Sequence, residues 1–127
     1  MNRTRILFDT DPGIDDAMAL AMLALDPRAE LVGITTVFGN VPIELTTRNA
    51  LALREHFGID HVPVARGVAR PLVKPAGDFA DFVHGANCLG NVVLPEPGGA
   101  LDPRPAAQFI VEMARRPDHR ITYANSG

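Results

Sequence analysis

Hydrophobic residues occur in this chain as short runs that alternate with longer, helix-like stretches. The short runs are rich in β-branched residues and predict four strands, at residues 5–8, 31–37, 62–65 and 120–124. The longer stretches predict three helices, at residues 14–25, at residues 42–57 and from Pro105 onward. The order β-α-β-α-β-loop-α-β is typical of an α/β fold with a mostly parallel open sheet, flanking helices and right-handed crossovers.

Residues 67–101 interrupt this alternation. They are rich in glycine and proline and have few periodic apolar positions. A stretch of this length without regular structure inside a compact domain usually has a function. We therefore expect a mobile active-site loop at 67–101, within one domain that spans residues 1–127.

Two features of the predicted helices bear on their surroundings. Residues 17–25 are nine consecutive apolar positions, so the first helix has no polar stripe and should be covered on more than one face. The cover would be a second half that these residues lack or another subunit, and a homo-oligomer is expected. In the second helix, Glu44 and Arg48 are one turn apart, which predicts an ion pair between them.

The amino-acid composition argues against some classes of binding partner. The formal net charge is −3 and the pI is near 5.7, so there is no basic excess to bind the phosphates of nucleic acid. The single cysteine, Cys88, cannot form an internal disulfide and is compatible with a reducing cytoplasm. The apolar run before Asp9 is too short for a signal peptide or a membrane span. A soluble cytoplasmic protein without a membrane partner is the expectation.

Four aspartates, Asp9, Asp11, Asp15 and Asp16, lie within eight residues of one another. The start of a helix supplies only about half a positive charge, whereas a divalent cation supplies two and prefers carboxylate oxygens. Gly13 allows a tight turn, so Asp11 before the turn and Asp16 after it can converge on one ion. Helix capping would explain one or two of the four acids, but a purely structural cause for all four is the weaker interpretation.

A cation at this turn suits hydrolysis. It would lower the pKa of a bound water, and a neighbouring carboxylate would take the proton as the water attacks carbon or phosphorus. The residues alone do not choose between these two electrophiles. Asn40 follows the second strand and Asn125-Ser126 follows the fourth, so both fall at the carboxyl ends of parallel strands, where α/β sheets bind ligands.

The segment Ile6–Ala17, which contains the sequence DTDPGIDD, resembles the N-terminal signature of the inosine-uridine-preferring nucleoside hydrolases. The resemblance continues in order through residues 33–41, 46–50, 62–67, 71–73, 84–85, 89–91, 121–122 and 126–127. It implies a Rossmann-like nucleoside hydrolase fold. It also implies calcium-dependent hydrolysis of the N-glycosidic bond of ribonucleosides, which yields ribose and free base.

The resemblance also implies roles for the acids of the turn. Asp11 and Asp16 would bind Ca²⁺, and Asp11 would in addition activate the attacking water. Asp9 would support these two residues from behind. Asp15 would hydrogen-bond a ribose hydroxyl.

Three further site residues follow from the resemblance. Asn40 would hydrogen-bond the ribose, and the main-chain carbonyl of Ser126 would be another calcium ligand. His84 would lie on the loop over the pocket as a substrate contact, although a solvated loop histidine is an equally good interpretation. The family commonly has glycine near position 88, where this chain has Cys88, which we expect to be a small loop residue and not a nucleophile.

Length is the larger departure from the family. Its members are more than twice as long, and their second half carries further ribose contacts, another calcium carboxylate and in many members a histidine that protonates the base. A truncated chain that binds a cation or ribose without turnover is therefore one alternative. A phosphohydrolase of the haloacid dehalogenase type is another, but that motif calls for threonine or valine where this chain has Gly13.

Overall fold

The computed structural model describes residues 2–39, 41–75, 77, 85–117 and 120–126. These residues form four strands, β1 (Thr4–Thr10), β2 (Ala29–Thr36), β3 (Val64–Ala65) and β4 (Thr122–Asn125). They also form three helices, α1 (Ile14–Leu25), α2 (Ile43–His56) and α3 (Ala106–Ala114). The strands pair in parallel in the order β3-β2-β1-β4, which confirms the predicted fold class.

The two faces of the sheet are covered by different helices. Phe8 of the central strand β1 faces α1 and α2, and it belongs to the same core cluster as Leu20 and Leu53. Leu7, the preceding residue, faces the other side and packs with Phe109 of α3. This division follows from the topology. The chain runs from β1 to β3 in one direction across the sheet and then crosses back to β4, so right-handed crossovers place α3 on the opposite face.

Phe109 anchors α3 to the sheet. Its side chain is fully buried, and a Cβ atom added at Gly33 of β2 would lie only 2.5 Å from its ring. The guanidinium of Arg104 covers the ring at 4.7 Å from its centroid. The aromatic ring therefore occupies the space that a side chain at position 33 would need, and it contributes a large buried apolar area to this face.

The apolar run of α1 is only partly covered. Leu20 is buried against the sheet, whereas Met18, Met22 and Leu25 are 66%, 72% and 80% exposed. The expectation that another segment or subunit covers this helix stays a prediction. Neither α1 nor any other helix in the described part of the chain has the length and apolar character that crossing a membrane requires.

The ion pair predicted within α2 is wrong. Glu44 instead accepts a hydrogen bond from Arg66 Nη2 at 2.7 Å, and Arg48 Nη2 donates to Glu96 Oε1 at 2.6 Å. Both partners come from described residues between β3 and α3. These contacts connect Arg66 and Glu96 to α2, and the described residues between 67 and 101 contain no helix or strand.

Candidate active site

The aspartate-rich turn, residues 9–16, connects β1 to α1 at one edge of the sheet. Asp9 of β1 lies beside Asn125 of β4 in the parallel register, so Ser126 emerges at the same edge as the turn. Asp11 and Asp16 are 6% and 3% exposed, whereas Asp15 is exposed at the start of α1. Two buried carboxylates and one exposed carboxylate thus line the edge where the sequence predicted a ligand site.

Asp16 of the turn has a raised pKa. Burial, which disfavours the charged form, is the largest cause that raises its pKa from 3.8 to about 6. The nearby hydroxyls of Ser126 and Thr10 lower the pKa and so oppose this shift, and the carboxylates of Asp11 and Asp15 add to it. Negative charge is therefore costly at this position, and a hard cation with oxygen ligands would offset the cost.

The donor set at this edge is small. Among the described residues, no group of three His, Cys, Asp or Glu side chains is placed to hold a metal ion. A cation here would be held by Asp11 and Asp16 together with uncharged oxygens, for which Ser126 and Thr10 are candidates near Asp16. Calcium accepts carbonyl, hydroxyl and water oxygens beside carboxylates, so the chemistry of these residues fits that ion.

Asp9 accepts hydrogen bonds from both strands that neighbour β1. Thr35 Oγ1 of β2 donates to its Oδ1 at 2.5 Å, and the Tyr123 hydroxyl of β4 donates to its Oδ2 at 2.9 Å. The amide of Ser126 donates to the Asp9 main-chain oxygen at 3.0 Å. Through Asp9, the central strand is fixed to both neighbours where the turn begins. Sequence reasoning missed Tyr123, because its bond to Asp9 spans 114 positions of the chain.

Gly39, in the loop after β2, leaves the space that the Asp11 carboxylate occupies. A Cβ atom added at this glycine would lie 2.1 Å from Oδ2 of Asp11 and 2.8 Å from its Cγ. The loop is aligned with the turn by a hydrogen bond from the Val37 amide to the Thr10 carbonyl, at 3.1 Å. The sequence alone marked Gly39 only as a loop residue, since the clash exists only once the two strands pair.

Cys88 lies in a turn that packs close to the aspartates. Its side chain is fully buried, and its φ of 65° is in the left-handed region that favours glycine. Burial raises the pKa of the thiol to about 11, and the carboxylates of Asp11, Asp16 and Asp15 contribute further. A thiol that stays protonated at neutral pH is a poor nucleophile, in agreement with its interpretation as a loop residue.

Two of the predicted site residues, Asn40 and His84, lie outside the described residues. The others, Asp9, Asp11, Asp15, Asp16 and Ser126, are all at the carboxyl edge of β1 and β4.

Comparison with known proteins assigns the chain to a family. The family model described as "Inosine-uridine preferring nucleoside hydrolase" matches residues 6–127. The chain belongs to this family. The Arabidopsis thaliana protein named uridine nucleosidase 1 is 46% identical to it over 118 residues, which cover 93% of this chain and 35% of that protein.

Solved structures of nucleoside hydrolases share the fold. A plant nucleoside hydrolase superimposes with a TM-score of 0.91 at 34% identity and covers 98% of this chain. The purine-preferring ribonucleoside hydrolase from Gardnerella vaginalis gives a TM-score of 0.89 at 31% identity, also over 98% of this chain. The chain spans only 39% and 40% of these two structures, so it corresponds to a part of the family fold. The comparisons give no support to the phosphohydrolase alternative.

Proposed function

We propose that the aspartate-rich turn binds one calcium ion and forms one side of a site that hydrolyses the N-glycosidic bond of ribonucleosides. The observation that carries this proposal is the pair of buried carboxylates, Asp11 and Asp16, where the pKa of Asp16 is raised to about 6. Burial of two carboxylates lowers the stability of a fold, and acids with shifted pKa values are concentrated at functional sites. Membership of a nucleoside hydrolase family supplies the reaction class.

The position of each residue at the turn indicates its proposed role in calcium binding or hydrolysis. Calcium, when bound, would offset the charge of the two buried carboxylates and lower the pKa of a water molecule. Asp11, whose carboxylate fits against Gly39, would orient that water and accept its proton. Asp16, which lies near the hydroxyls of Ser126 and Thr10, would be a second ligand of the ion. The negative charge of these acids would also stabilise the oxocarbenium-like transition state of glycosidic cleavage.

The ribose would lie on the exposed side of the turn. Asp15 is exposed at the first turn of α1, where its carboxylate can accept a hydrogen bond from a ribose hydroxyl. Asn40 and His84 are proposed as further substrate contacts, and the Ser126 carbonyl as a calcium ligand. The named relatives include a uridine nucleosidase and a purine-preferring hydrolase, so the proposed substrate is the ribonucleoside class and not one base.

A base-release assay tests the proposal. Uridine and inosine are incubated with the protein in calcium or in a calcium chelator, and the free base is quantified by chromatography. We expect calcium-dependent release that falls by roughly 10²–10⁴-fold in Asp11→Asn, because the proton acceptor is lost. Asp26→Asn is the matched control, since Asp26 pairs with Arg28 at the other end of α1. Full activity of Asp11→Asn would refute the role of Asp11.

The second candidate function is calcium binding by an incomplete site. The small share of each relative's length that the chain covers favours it. The chain spans 35–40% of the length of the relatives described above. In this case calcium would bind to the 127 residues without release of base. Robust release of base by the chain alone would exclude this second candidate, whereas calcium binding without release would support it.

A further inference from the structure

Asn49 of α2 joins the aspartate-rich turn to the turn that carries Cys88. Its side chain is fully buried. The amide nitrogen Nδ2 donates to the main-chain oxygen of Asn87 at 2.8 Å and to that of Pro12 at 3.4 Å. A single side chain therefore fixes two separate turns to one rigid helix, on the side where the carboxylates lie.

The second of these turns, residues 85–92, is itself held together by asparagine side chains. Asn87 Oδ1 accepts hydrogen bonds from the amides of Leu89 and Asn91, at 3.0 and 2.9 Å, and its Nδ2 donates to the Val92 carbonyl at 2.8 Å. Asn91 Oδ1 accepts from the Ala86 amide at 3.0 Å. The turn is thus one unit, and fixing the Asn87 carbonyl places the whole unit, including Cys88, against the acids.

The chemistry of the link requires an amide group. Both acceptors are carbonyl oxygens, so the side chain must offer two N–H donors, which an asparagine NH₂ group provides. Pro12 has no N–H, so its carbonyl is the polar group through which the turn can be held at this residue. Pro12 directly follows Asp11, so a bond that holds the Pro12 carbonyl restricts the backbone from which the Asp11 side chain extends.

We propose that Asn49 is a positioning residue for the cation site, through its bond to the Pro12 carbonyl and its hold on the 85–92 turn. The consequence for calcium rests on the proposed function, whereas the mechanical link rests on the hydrogen bonds alone. Residues that orient metal ligands from behind typically change metal affinity about 10–100-fold when they are lost. The same range is expected here.

The test compares two near-isosteric variants of α2. Asn49→Leu removes both donated hydrogen bonds and keeps the volume of the side chain. Thr46→Val is the matched control, because buried Thr46 donates only to the carbonyl of Ile43 in its own helix, at 3.1 Å. Two quantities are measured: hydrogen exchange of the amides in the 85–92 turn, and the dissociation constant for calcium by calorimetry. The amide of Phe109 in α3, bonded to the Pro105 carbonyl, serves as the internal reference.

The two variants are expected to differ. Asn49→Leu should speed exchange in the 85–92 turn about tenfold relative to Phe109, as expected for one lost hydrogen bond, and weaken calcium binding 10–100-fold. Thr46→Val should change neither the exchange rate in the 85–92 turn relative to Phe109 nor the dissociation constant for calcium. Equal behaviour of the two variants would overturn the proposal. If the wild-type protein binds no calcium, the proposed function fails, and the exchange comparison still decides the role of Asn49. If Asn49→Leu does not fold, Asn49→Ser, which can donate to only one carbonyl, is measured in the same way, and unchanged exchange in it refutes the link.

Discussion

Replacement of Gly39 by alanine is expected to weaken calcium binding, because the new methyl group would displace the Asp11 carboxylate. In the structure, the added Cβ atom would lie 2.1 Å from Oδ2 of Asp11, whereas ordinary contacts begin at 3.4 Å. The oxygen must therefore move by about 1.3 Å, or the loop must shift by the same distance. Calcium–oxygen bonds span only roughly 2.3–2.6 Å, so such a displacement would remove Asp11 from the proposed ligand set.

The magnitude follows from the loss of one oriented ligand. A 10–100-fold increase in the dissociation constant for calcium is expected, about 1.4–2.7 kcal/mol in binding free energy. Overpacking of the buried carboxylate should also lower the free energy of unfolding by about 1–3 kcal/mol. The loss of affinity should therefore appear in a protein that still folds.

Calorimetric titration with calcium, together with thermal unfolding, measures both effects. Gly98→Ala is the control, since a Cβ atom at that glycine would meet its nearest neighbour, Glu55 Oε1, at an ordinary distance of 3.8 Å. It should keep the wild-type affinity. A folded Gly39→Ala protein with the wild-type dissociation constant would show that the position of Asp11 does not govern calcium binding.

Three further predictions concern single side chains. Cys88 should be alkylated by iodoacetamide about 100-fold more slowly in the folded protein than after unfolding. The reason is that a pKa raised from 9.0 to about 11 lowers the thiolate fraction about 100-fold at neutral pH. Equal alkylation rates would contradict the burial of Cys88 near the acids. Tyr123 is the only tyrosine and there is no tryptophan, so the ultraviolet absorbance of the phenolate should titrate near pH 12 in the folded protein. Burial is the largest cause of this raised pKa, so Asp9→Asn should lower the midpoint but leave it above 10.0, and a folded midpoint of 10.0 in the wild type would be evidence against the contact. Phe109→Ala should cost about 3–5 kcal/mol in urea unfolding, whereas Met113→Leu should cost less than about 1.5; similar costs would contradict the anchoring role of Phe109.

The secondary structure could be predicted where local chemistry decides it. The predicted bounds of α1, residues 14–25, match the structure, because Pro12-Gly13 and Asp26-Pro27 punctuate the helix at both ends. The second strand was predicted at residues 31–37 but spans Ala29–Thr36. Its true start depends on pairing with β1, where Ala29 lies beside Thr4, and no local pattern reveals such a partner.

The candidate site divides in the same way. The acids of the turn and Ser126 could be placed together from the sequence, since the carboxyl ends of parallel strands share one edge. The roles of Gly39, Asn49 and Tyr123 could not be predicted, because each depends on a contact between segments that are distant in the chain. The same limit explains the error at Glu44, whose partner Arg66 is brought near by the fold of the segment after β3.

The most direct test of the main claim is a calorimetric titration with calcium of the wild-type protein and of Asp16→Asn. The claim is that the buried carboxylates Asp11 and Asp16 form a calcium site. We expect one calcium ion bound per chain in the wild type and an affinity at least about tenfold weaker in Asp16→Asn, with folding intact. No calcium binding by the folded wild type, or the same affinity in both proteins, would contradict it.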